Sequence, residues 1–516
     1  DFRKEPNRHY VKGQLAGQVL GFVNIDNQGQ AGIEKAEESH LAGKEIQVHA
    51  RRYNDKKVIL DLDYMREVPL RGADVVLTID ETIQWIAERA LGELCTEQNA
   101  KAGMAIVIEP NTGEVLALAN YPFFDPERLG EYAASGEMER AKNQCITNIY
   151  EPGSTMKPFV VAAGLDCGAI APDSIIDCEG GRRHLPPGLR SKPILDEHAM
   201  GRVPVTEVLV FSSNVGAGKI AEKIVNLDPE SPSKTRFVDY LHAFGFGTRT
   251  GIELPGETKG LLTGWERWNL NDLLVTAFGT GPVMISPVGL AAAYCILANG
   301  GREVQPHVVK GYLANRNSNL YPTQVGTGRA VVNRESARLV REMLVQVVER
   351  GTGTRAKSDW YKVGGKTGTA KKVVNRVYSA SHRALSFAGF APADPPRIVV
   401  VVVIDEPDEL RFGGLAAAPV FRKIVDETLA YLHVTPDFSG PAPTPDGKNV
   451  KPGKRPAGRQ PLFPPPTPDG DQTPTPDKES PEEAARVAAL ENPDFTLGRT
   501  APSRETAPEG DRREQW

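Results

Sequence analysis

The strongest constraint on the fold of this chain is that three short polar strings, far apart in sequence, must meet if they are to act together. They are Ser154-Thr155-Met156-Lys157, Ser212-Ser213-Asn214 and Lys366-Thr367-Gly368-Thr369. Ser212 follows Ser154 by 58 residues (212 minus 154), and Lys366 follows Ser212 by 154 residues (366 minus 212). These separations leave room for a helical subdomain and a return to a sheet. Together the strings hold a nucleophile, a base, a proton relay and an anion clamp, the parts of acyl transfer through a serine ester.

The first string has a structural context that a chance match lacks. Ser231 and Lys234 share its spacing, but they lie in a turn-rich stretch with two prolines. Ser154 instead opens an apolar run, 159–163, that predicts a buried helix. Residues three apart share a helix face, so we expect the Lys157 amine within hydrogen-bond reach of the Ser154 hydroxyl.

Lys157 is a useful base only when its amine is neutral. An unperturbed lysine has a pKa of about 10.4, so burial or a second cation must lower the pKa of Lys157. Lys366 is the candidate second cation. The alternative for an isolated string is a helix-capping serine followed by a solvated lysine.

The second string supplies a hydroxyl and an amide. Ser212 follows a segment, 205–211, with a helical or turn-to-helix pattern. Its hydroxyl suits the transfer of a proton to a leaving amine, and the Asn214 amide suits a substrate amide. Taken alone, the string is typical of a polar loop.

The third string lies in a glycine-dense predicted strand, where another backbone can approach closely. Lys366 and the Thr367 hydroxyl suit a terminal carboxylate. The backbone N–H groups of Thr369 and Ser154 together suit an oxyanion hole. Taken alone, this string is typical of a glycine loop with a surface lysine.

The strings and their flanks, 150–159, 211–214 and 365–370, resemble the active-site motifs of class B penicillin-binding proteins, the D,D-transpeptidases that cross-link peptidoglycan. The similarity covers roughly residues 10 to 435, and its first part resembles the pedestal of the division and sporulation branch. Two departures stand out. Gly279-Thr280-Gly281-Pro282 replaces a common Gly-Gln-Gly or Gly-Tyr-Gly string, which affects expected substrate contacts, and Phe412 replaces a common tyrosine before two glycines.

The resemblance implies a role for each matched residue. Ser154 would attack the carbonyl of the penultimate D-alanine of a donor stem peptide, with Lys157 as the base. The implied catalytic residues are Ser154, Lys157, Ser212, Asn214 and Lys366, and the implied substrate-binding residues are Thr367, Gly368 and Thr369. An acceptor amine from a neighbouring strand would then resolve the ester.

The resemblance also implies partners and a location. The expected partners are the stem peptides of lipid II-derived glycan strands, β-lactams as covalent inhibitors, a SEDS-type glycan polymerase and other division proteins. The expected location is the cytoplasmic membrane, with the catalytic domain on the periplasmic or extracellular side. The single-pass anchor is expected outside this chain. The pedestal favours septal wall synthesis over sporulation or elongation.

We predict an α+β fold of the penicillin-binding and serine β-lactamase type, with a mainly antiparallel five-stranded sheet covered by helices. A hairpin joins 104–108 to 115–118, and the unbroken apolar run 398–404 predicts a strand buried on both faces. The predicted parts are a partial pedestal of the dimerisation type at 1–70, a transpeptidase domain at 71–435 and a proline-rich disordered tail at 436–516. A short segment of the tail, 482–490, has a helical pattern that either folds on a partner or stays transient.

Composition excludes several classes of function. A net charge of −5 without a basic patch argues against nucleic acid as a partner. The five cysteines have no metal-binding spacing and the nine histidines form no His-Glu-x-x-His, so we expect no metal and no cofactor. Cys167 and Cys178 either pair or remain free thiols, and His198 is predicted to be structural.

Three alternatives use the same strings. A D,D-carboxypeptidase shares the chemistry but should lack the pedestal. A serine β-lactamase or β-lactam sensor of class A type needs a Glu-x-x-Leu-Asn string, and the nearest match, beginning at Glu266, is one residue too long. A penicillin-binding pseudoenzyme is the non-enzyme alternative, which the complete set of motif residues disfavours.

Overall fold

The structure is a computed structural model that describes residues 8–438, apart from 44–50, 53–57, 60–71, 188, 190–191, 314–318, 327 and 375–376. The predicted tail from residue 439 onward, with its helical segment 482–490, lies outside the described residues. The same holds for much of the predicted pedestal after residue 43.

A five-stranded antiparallel sheet forms the centre of the described part, as predicted. Its strands are β1 (Ala102–Ile108), β2 (Val115–Tyr121), β3 (Gly364–Val374), β4 (Val377–Ala391) and β5 (Ile398–Asp405), in the spatial order β3-β4-β5-β1-β2. The first two strands therefore pair with the last three across a long excursion of the chain.

The sheet is buried on both faces, and β5 shows this most clearly. Val401 and Val403 face one hydrophobic cluster, and Val400 and Val402 face another on the opposite side. A strand that contacts apolar residues on both faces reads as a continuous apolar run, which is why its sequence shows no alternation. The predicted strand at 398–404 is confirmed.

Helices cover both faces. Those longer than five residues are α1 (Glu81–Glu97), α2 (Leu129–Ser135), α3 (Lys157–Asp166), α4 (Val205–Val210), α5 (Asn214–Val225), α6 (Lys234–Ala243), α7 (Leu270–Ala277), α8 (Pro287–Ala298), α9 (Arg334–Arg350) and α10 (Gly413–Tyr431). Helices α1 and α10 pack on one face of the sheet, and α8 packs on the other. The region between the second and third strings is mainly helical, as predicted.

Local sequence explains where key helices begin. Asp80 caps α1, because its carboxylate accepts hydrogen bonds from the N–H groups of Thr82 and Ile83. Helix α3 carries a proline in its first turn and is buried over nearly its whole length. Its Phe159 ring lies 5.0 Å from the Phe244 ring and 5.3 Å from the Tyr294 ring. This packing fixes the helix that follows Ser154.

Smaller elements connect these parts. A three-stranded sheet contains Asp74–Leu77, Val309–Leu313 and Tyr321–Pro322. Short strand pairs are Arg51–Arg52 with Val58–Ile59, Ile175–Asp177 with Arg202–Pro204, Arg182–Arg183 with Ile194–Leu195, and Leu261–Leu262 with Val283–Met284. Short helices are Gly17–Leu20, Gly32–Ala36, Glu38–Leu41 and Gln144–Thr147.

The segment before residue 44 packs against the sheet domain. Val19 and Ile33 join the hydrophobic cluster that contains β1. The Gln18 side chain donates to the carbonyls of Pro122 and Arg140, each at 3.0 Å. Buried Glu88 on α1 accepts from the Ala16 N–H at 2.8 Å. These contacts join the two parts of the chain through both apolar and polar groups.

In the described part of the chain, no helix combines the length and apolar character needed to cross a membrane. All five cysteines are free thiols, so Cys167 and Cys178 do not pair.

Candidate active site

The three strings line one cleft between β3 and the helices beside it. The cavity has a volume of about 800 Å³, and its walls include Ser154, Ser212, Asn214, Thr367 and Thr369. Lys157 and Lys366 are completely buried beside it. The structure therefore brings together the residues that the sequence singled out, although they lie on separate elements.

Ser154 lies just before α3. It sits in a 3-10 turn, Gly153–Met156, and α3 begins at Lys157. The sequence predicted that the helix begins at Ser154. In the structure, the helix begins after the 3-10 turn that contains Ser154. The two groups still meet, because the Lys157 Nζ lies 3.0 Å from the Ser154 Oγ.

Lys157 contacts oxygen atoms from two strings. Besides Ser154, its Nζ donates to the Ser212 Oγ at 3.0 Å, the Ser212 carbonyl at 2.5 Å and the Asn214 Oδ1 at 2.8 Å. Burial lowers the pKa of Lys157 to about 7, although the charges of Asp196 and Glu197 act in the opposite direction. Burial, rather than Lys366, is the cause of this lowering. A lysine with such a pKa is in large part neutral at physiological pH.

Ser212 adopts an unusual backbone conformation. Its φ is +62°, in the left-handed region that non-glycine residues seldom occupy. The turn presents both its carbonyl and its hydroxyl to Lys157. Strained residues of this kind concentrate at functional sites because the surrounding structure must hold them.

Asp196 holds the Ser212 turn, and sequence reasoning missed it. Its carboxylate accepts from the Ser213 Oγ at 2.6 Å, the Asn214 N–H at 2.5 Å and the Val215 N–H at 3.0 Å. These donors lie at the start of α5, where the helix dipole favours a negative charge. In the sequence, Asp196 lies two residues before His198. No pattern in the sequence indicated its contacts with residues 213–215.

Lys366 lies on β3 among threonine oxygens. Its Nζ is 3.3 Å from the Thr352 Oγ1 and 3.3 Å from the Thr367 Oγ1, and these two hydroxyls are 2.9 Å apart. Burial lowers the pKa of Lys366 well below its ordinary value, and the nearby Lys157 lowers it further. Thr352, which the sequence reasoning also missed, completes a cluster of donors suited to a carboxylate.

Gly368 allows the Ser154 turn to approach β3. A Cβ at this position would lie 2.2 Å from the Ser386 Oγ and 2.9 Å from the Pro152 carbonyl. Gly153 likewise passes close to Thr369, because a Cβ there would lie 3.4 Å from the Thr369 backbone nitrogen. The nucleophile turn and the third string are therefore in direct backbone contact.

Glu151 connects one of the two departures in sequence, the 279–282 loop, to the cleft wall. Its Oε1 accepts from the Gly281 N–H at 2.9 Å and from the Tyr378 hydroxyl at 2.7 Å. The Gly279 carbonyl accepts from the Gly153 N–H at 2.8 Å. The 279–282 loop thus braces the Ser154 turn through its backbone, so its side-chain identity matters little to that contact.

Phe412 is partly exposed at the cleft and precedes α10. The following Gly413 N–H donates to the Thr369 Oγ1 at 3.2 Å. The backbone turn at this departure from the common motif is therefore formed without a tyrosine hydroxyl.

No group of three or more His, Cys, Asp or Glu side chains suited to a metal ion occurs among the described residues. The chemistry that this arrangement supports directly is nucleophilic acyl transfer, in which a serine hydroxyl is activated by a neutral lysine.

Comparison with known proteins finds relatives that cover most of this chain. The sequence profile of the penicillin-binding protein transpeptidase domain matches residues 103–426. A probable peptidoglycan D,D-transpeptidase, PenA of Neisseria gonorrhoeae, is 35% identical over 84% of this chain and 70% of its own length. The peptidoglycan D,D-transpeptidase FtsI of Escherichia coli is 31% identical over 84% of this chain and 69% of its own length.

A solved structure extends the likeness to three dimensions. Penicillin-binding protein 3 of Mycobacterium tuberculosis, in complex with aztreonam, superposes with a TM-score of 0.71 at 28% identity. The superposition covers 84% of this chain and 92% of the other. The chain belongs to the class B penicillin-binding proteins, a family of serine-type D,D-transpeptidases.

Proposed function

We propose that this chain cross-links peptidoglycan stem peptides through an acyl-enzyme on Ser154, and that it does so in septal wall synthesis. The observation that carries the proposal is the position of the Lys157 Nζ, 3.0 Å from both the Ser154 Oγ and the Ser212 Oγ. One buried amine in contact with two hydroxyls supports proton transfer from the nucleophile and onward to a leaving group.

In the first step, neutral Lys157 takes the proton of Ser154, and the Oγ bonds to the carbonyl carbon of the penultimate D-alanine. The N–H groups of Ser154 and Thr369 stabilise the oxyanion. Ser212 then passes a proton to the departing D-alanine nitrogen as the C–N bond breaks. Asn214 binds a substrate amide, and Lys366 and Thr367 hold the terminal carboxylate, with Gly368 giving the backbone room.

In the second step, an acceptor amine replaces D-alanine. The nitrogen bonds to the acyl carbon, the bond from that carbon to the Ser154 Oγ breaks, and Ser154 regains its proton. A β-lactam presents a similar carbonyl and carboxylate, so we propose that it acylates Ser154 as well. The complex of the mycobacterial relative with aztreonam supports this proposal.

The wider setting is also proposed by analogy. The segment 1–70 would act as a pedestal for the transpeptidase domain at 71–435, with 436–516 as a tail. A membrane anchor outside this chain would place the domain on the periplasmic or extracellular side. A SEDS-type polymerase and other division proteins would be its partners. Septal enrichment of the tagged full-length protein is expected, and uniform lateral-wall signal would contradict the division role.

The Ser154 assignment is tested by Ser154→Ala. We expect this change to abolish labelling by a fluorescent penicillin, because it removes the hydroxyl proposed to bond to the drug, while Ser212, the other serine whose hydroxyl contacts Lys157 in the described part, acts as the proton relay. Ser231→Ala is the matched control, since Ser231 has the same spacing to Lys234 but lies exposed in a turn. Full labelling of the Ser154 variant would refute the assignment.

A second assay distinguishes a cross-linking enzyme from a D,D-carboxypeptidase. With a donor thioester and D-alanine as acceptor, the wild-type chain should form exchange product. Release of free acid alone would favour the carboxypeptidase alternative.

A further inference from the structure

The catalytic cavity has a basic end beyond Thr369. Lys371 and Arg383 both line it, and they lie directly opposite each other where β3 pairs with β4. Lys371 is exposed. Arg383 is half-buried, and its Nη1 donates to the Arg411 carbonyl at 3.4 Å. Cross-strand partners point to the same face of a sheet, so the two cationic side chains share one side of the cavity wall.

Two like charges in this arrangement are unfavourable. Directly opposed residues of an antiparallel pair have their Cβ atoms about 5 Å apart, and like charges at such positions repel each other. The adjacent Lys372 is compensated, because it pairs with Asp405 and Glu406, whereas Lys371 forms no ion pair with any residue that the structure describes. An anion bound between Lys371 and Arg383 would therefore relieve the repulsion.

Glu151 approaches this end through its contact with Tyr378, but its charge is set back from the cavity surface. Its Oε1 accepts from the Gly281 N–H and the Tyr378 hydroxyl, and its Oε2 is buried. Burial also raises the pKa of Glu151, which favours the neutral form of the carboxyl group. A ligand at this end therefore contacts the two cationic side chains and not the carboxylate.

The proposed donor peptide runs along β3 toward these cations. Strand β3 lies at one edge of the five-stranded sheet, and an edge strand can pair with an added peptide. In the proposed function, Lys366 holds the terminal carboxylate of the donor and the Thr369 N–H faces its scissile carbonyl, so the donor runs antiparallel to β3. The part of the donor before the penultimate D-alanine then passes Lys371, two residues or about 7 Å beyond Thr369. Thr367, Thr369 and Lys371 alternate along β3 and all line the cavity.

We propose that Lys371 and Arg383 bind a carboxylate that the donor carries one or two residues before its penultimate D-alanine. This inference rests on the proposed function, since it takes the position of the donor from the acyl-enzyme at Ser154. An ammonium and a guanidinium both donate charge-assisted hydrogen bonds to a carboxylate. The site therefore selects donors with a free acid at this place over donors in which the acid is converted to an amide.

Two synthetic donors test this selectivity, each a thioester of D-alanine with thioglycolate. One carries an N-succinyl group, which ends in a free carboxylate, and the other carries N-succinamoyl, which ends in the amide. For the wild-type chain, kcat/KM for thioester cleavage should be about tenfold higher with the acid, because each of two partly exposed charge pairs contributes about threefold. Equal values of kcat/KM for the two donors would overturn the inference.

Lys371→Met removes one charge and keeps an unbranched side chain. It should reduce the preference for the acid to about threefold, and Lys371→Arg should retain the full preference. Arg355→Met is the matched control, since Arg355 is another exposed cation that lines the cavity. The control should keep the wild-type preference within about twofold. A preference that Lys371→Met leaves unchanged, or that both methionine variants reduce equally, would contradict the proposed site.

Acylation by benzylpenicillin checks that the variant cavity is intact, because the side chain of this drug carries no acid. Its rate should stay within about twofold in Lys371→Met. A large loss of this rate would also count against the inference, because it would give Lys371 a part in acylation itself. Failure of the proposed function is distinct, since it would appear as penicillin labelling of Ser154→Ala, whatever the preference between the two donors.

Discussion

At the scale of single residues, Lys157 is the group whose environment decides the chemistry. Its amine is fully buried and meets four oxygen atoms, from Ser154, Ser212 and Asn214. The oxygens would stabilise an ammonium, but burial outweighs them and the pKa falls to about 7. A lysine that loses its proton this easily has a lone pair available to accept one from a hydroxyl.

The pH dependence of acylation tests this environment. Below about pH 7 Lys157 carries a proton and cannot act as a base, and above this value it is neutral. The second-order rate constant for penicillin acylation should therefore rise with pH and level off above about pH 7, because this constant reports the free enzyme. Stopped-flow measurement between pH 5.5 and 8.5 gives the profile. A flat profile would contradict a neutral-lysine base, and Lys157→Arg should be inactive at every pH.

At the scale of elements, the start of helix α5 organises half of the site. The Asp196 carboxylate holds Ser213, Asn214 and Val215, and so fixes the strained turn at Ser212. The negative charge and the N–H groups of the helix stabilise each other. Asp196 is a positioning residue, since it acts on Lys157 and any substrate through this turn.

Asp196→Asn should weaken both stability and acylation. The change removes charge-assisted hydrogen bonds, each worth about 1.5–3 kcal/mol, so thermal denaturation should show a lower Tm. The acylation rate should fall while the acid limb of its pH profile shifts downward, because Asp196 raises the pKa of Lys157. Asp173→Asn is the control, since Asp173 is exposed. A lower Tm with an unshifted acid limb would assign Asp196 a purely structural role.

Much of this architecture could be predicted from local sequence, and the exceptions have a common cause. The β5 strand and the α3 helix were predicted because burial leaves a continuous apolar run in each. Asp196, Thr352 and Glu151 were missed as site residues because their roles depend on turns and strand pairing elsewhere in the chain. Tyr378 reaches Glu151 only because β4 folds back on β3. No spacing within one sequence encodes such a contact.

At the scale of the whole molecule, Glu88 couples the segment before residue 44 to the sheet domain. It lies on α1, is 2% exposed and accepts from the Ala16 N–H and the Gln84 side chain, each at 2.8 Å. Burial raises the pKa of Glu88 from its ordinary value of 4.5 to about 7. The folded chain therefore holds a proton on Glu88 between these pH values, and the unfolded chain does not.

Stability should reflect this proton. Because the folded pKa is raised, the contribution of Glu88 is favourable at low pH and is lost as pH rises toward 7. Glu88→Gln keeps the neutral form, so relative to wild type it should be more stable at pH 8 than at pH 5, by up to about 3 kcal/mol. Differences in Tm at the two pH values measure this, with exposed Glu97→Gln as control. Equal differences for both variants would contradict a raised pKa.

The strand order of the central sheet has a consequence for the growing chain. Ala105 on β1 pairs with Val402 on β5, 297 residues later (402 minus 105). During synthesis, the edge of β1 that pairs with β5 therefore stays unpaired until nearly the whole catalytic region has left the ribosome. Ser154, Lys157 and Ser212 emerge early, but Lys366 joins them only when β3 pairs with β4 and β4 with β5. Reactivity toward penicillin should therefore appear late in synthesis, once all five strands of the sheet have paired.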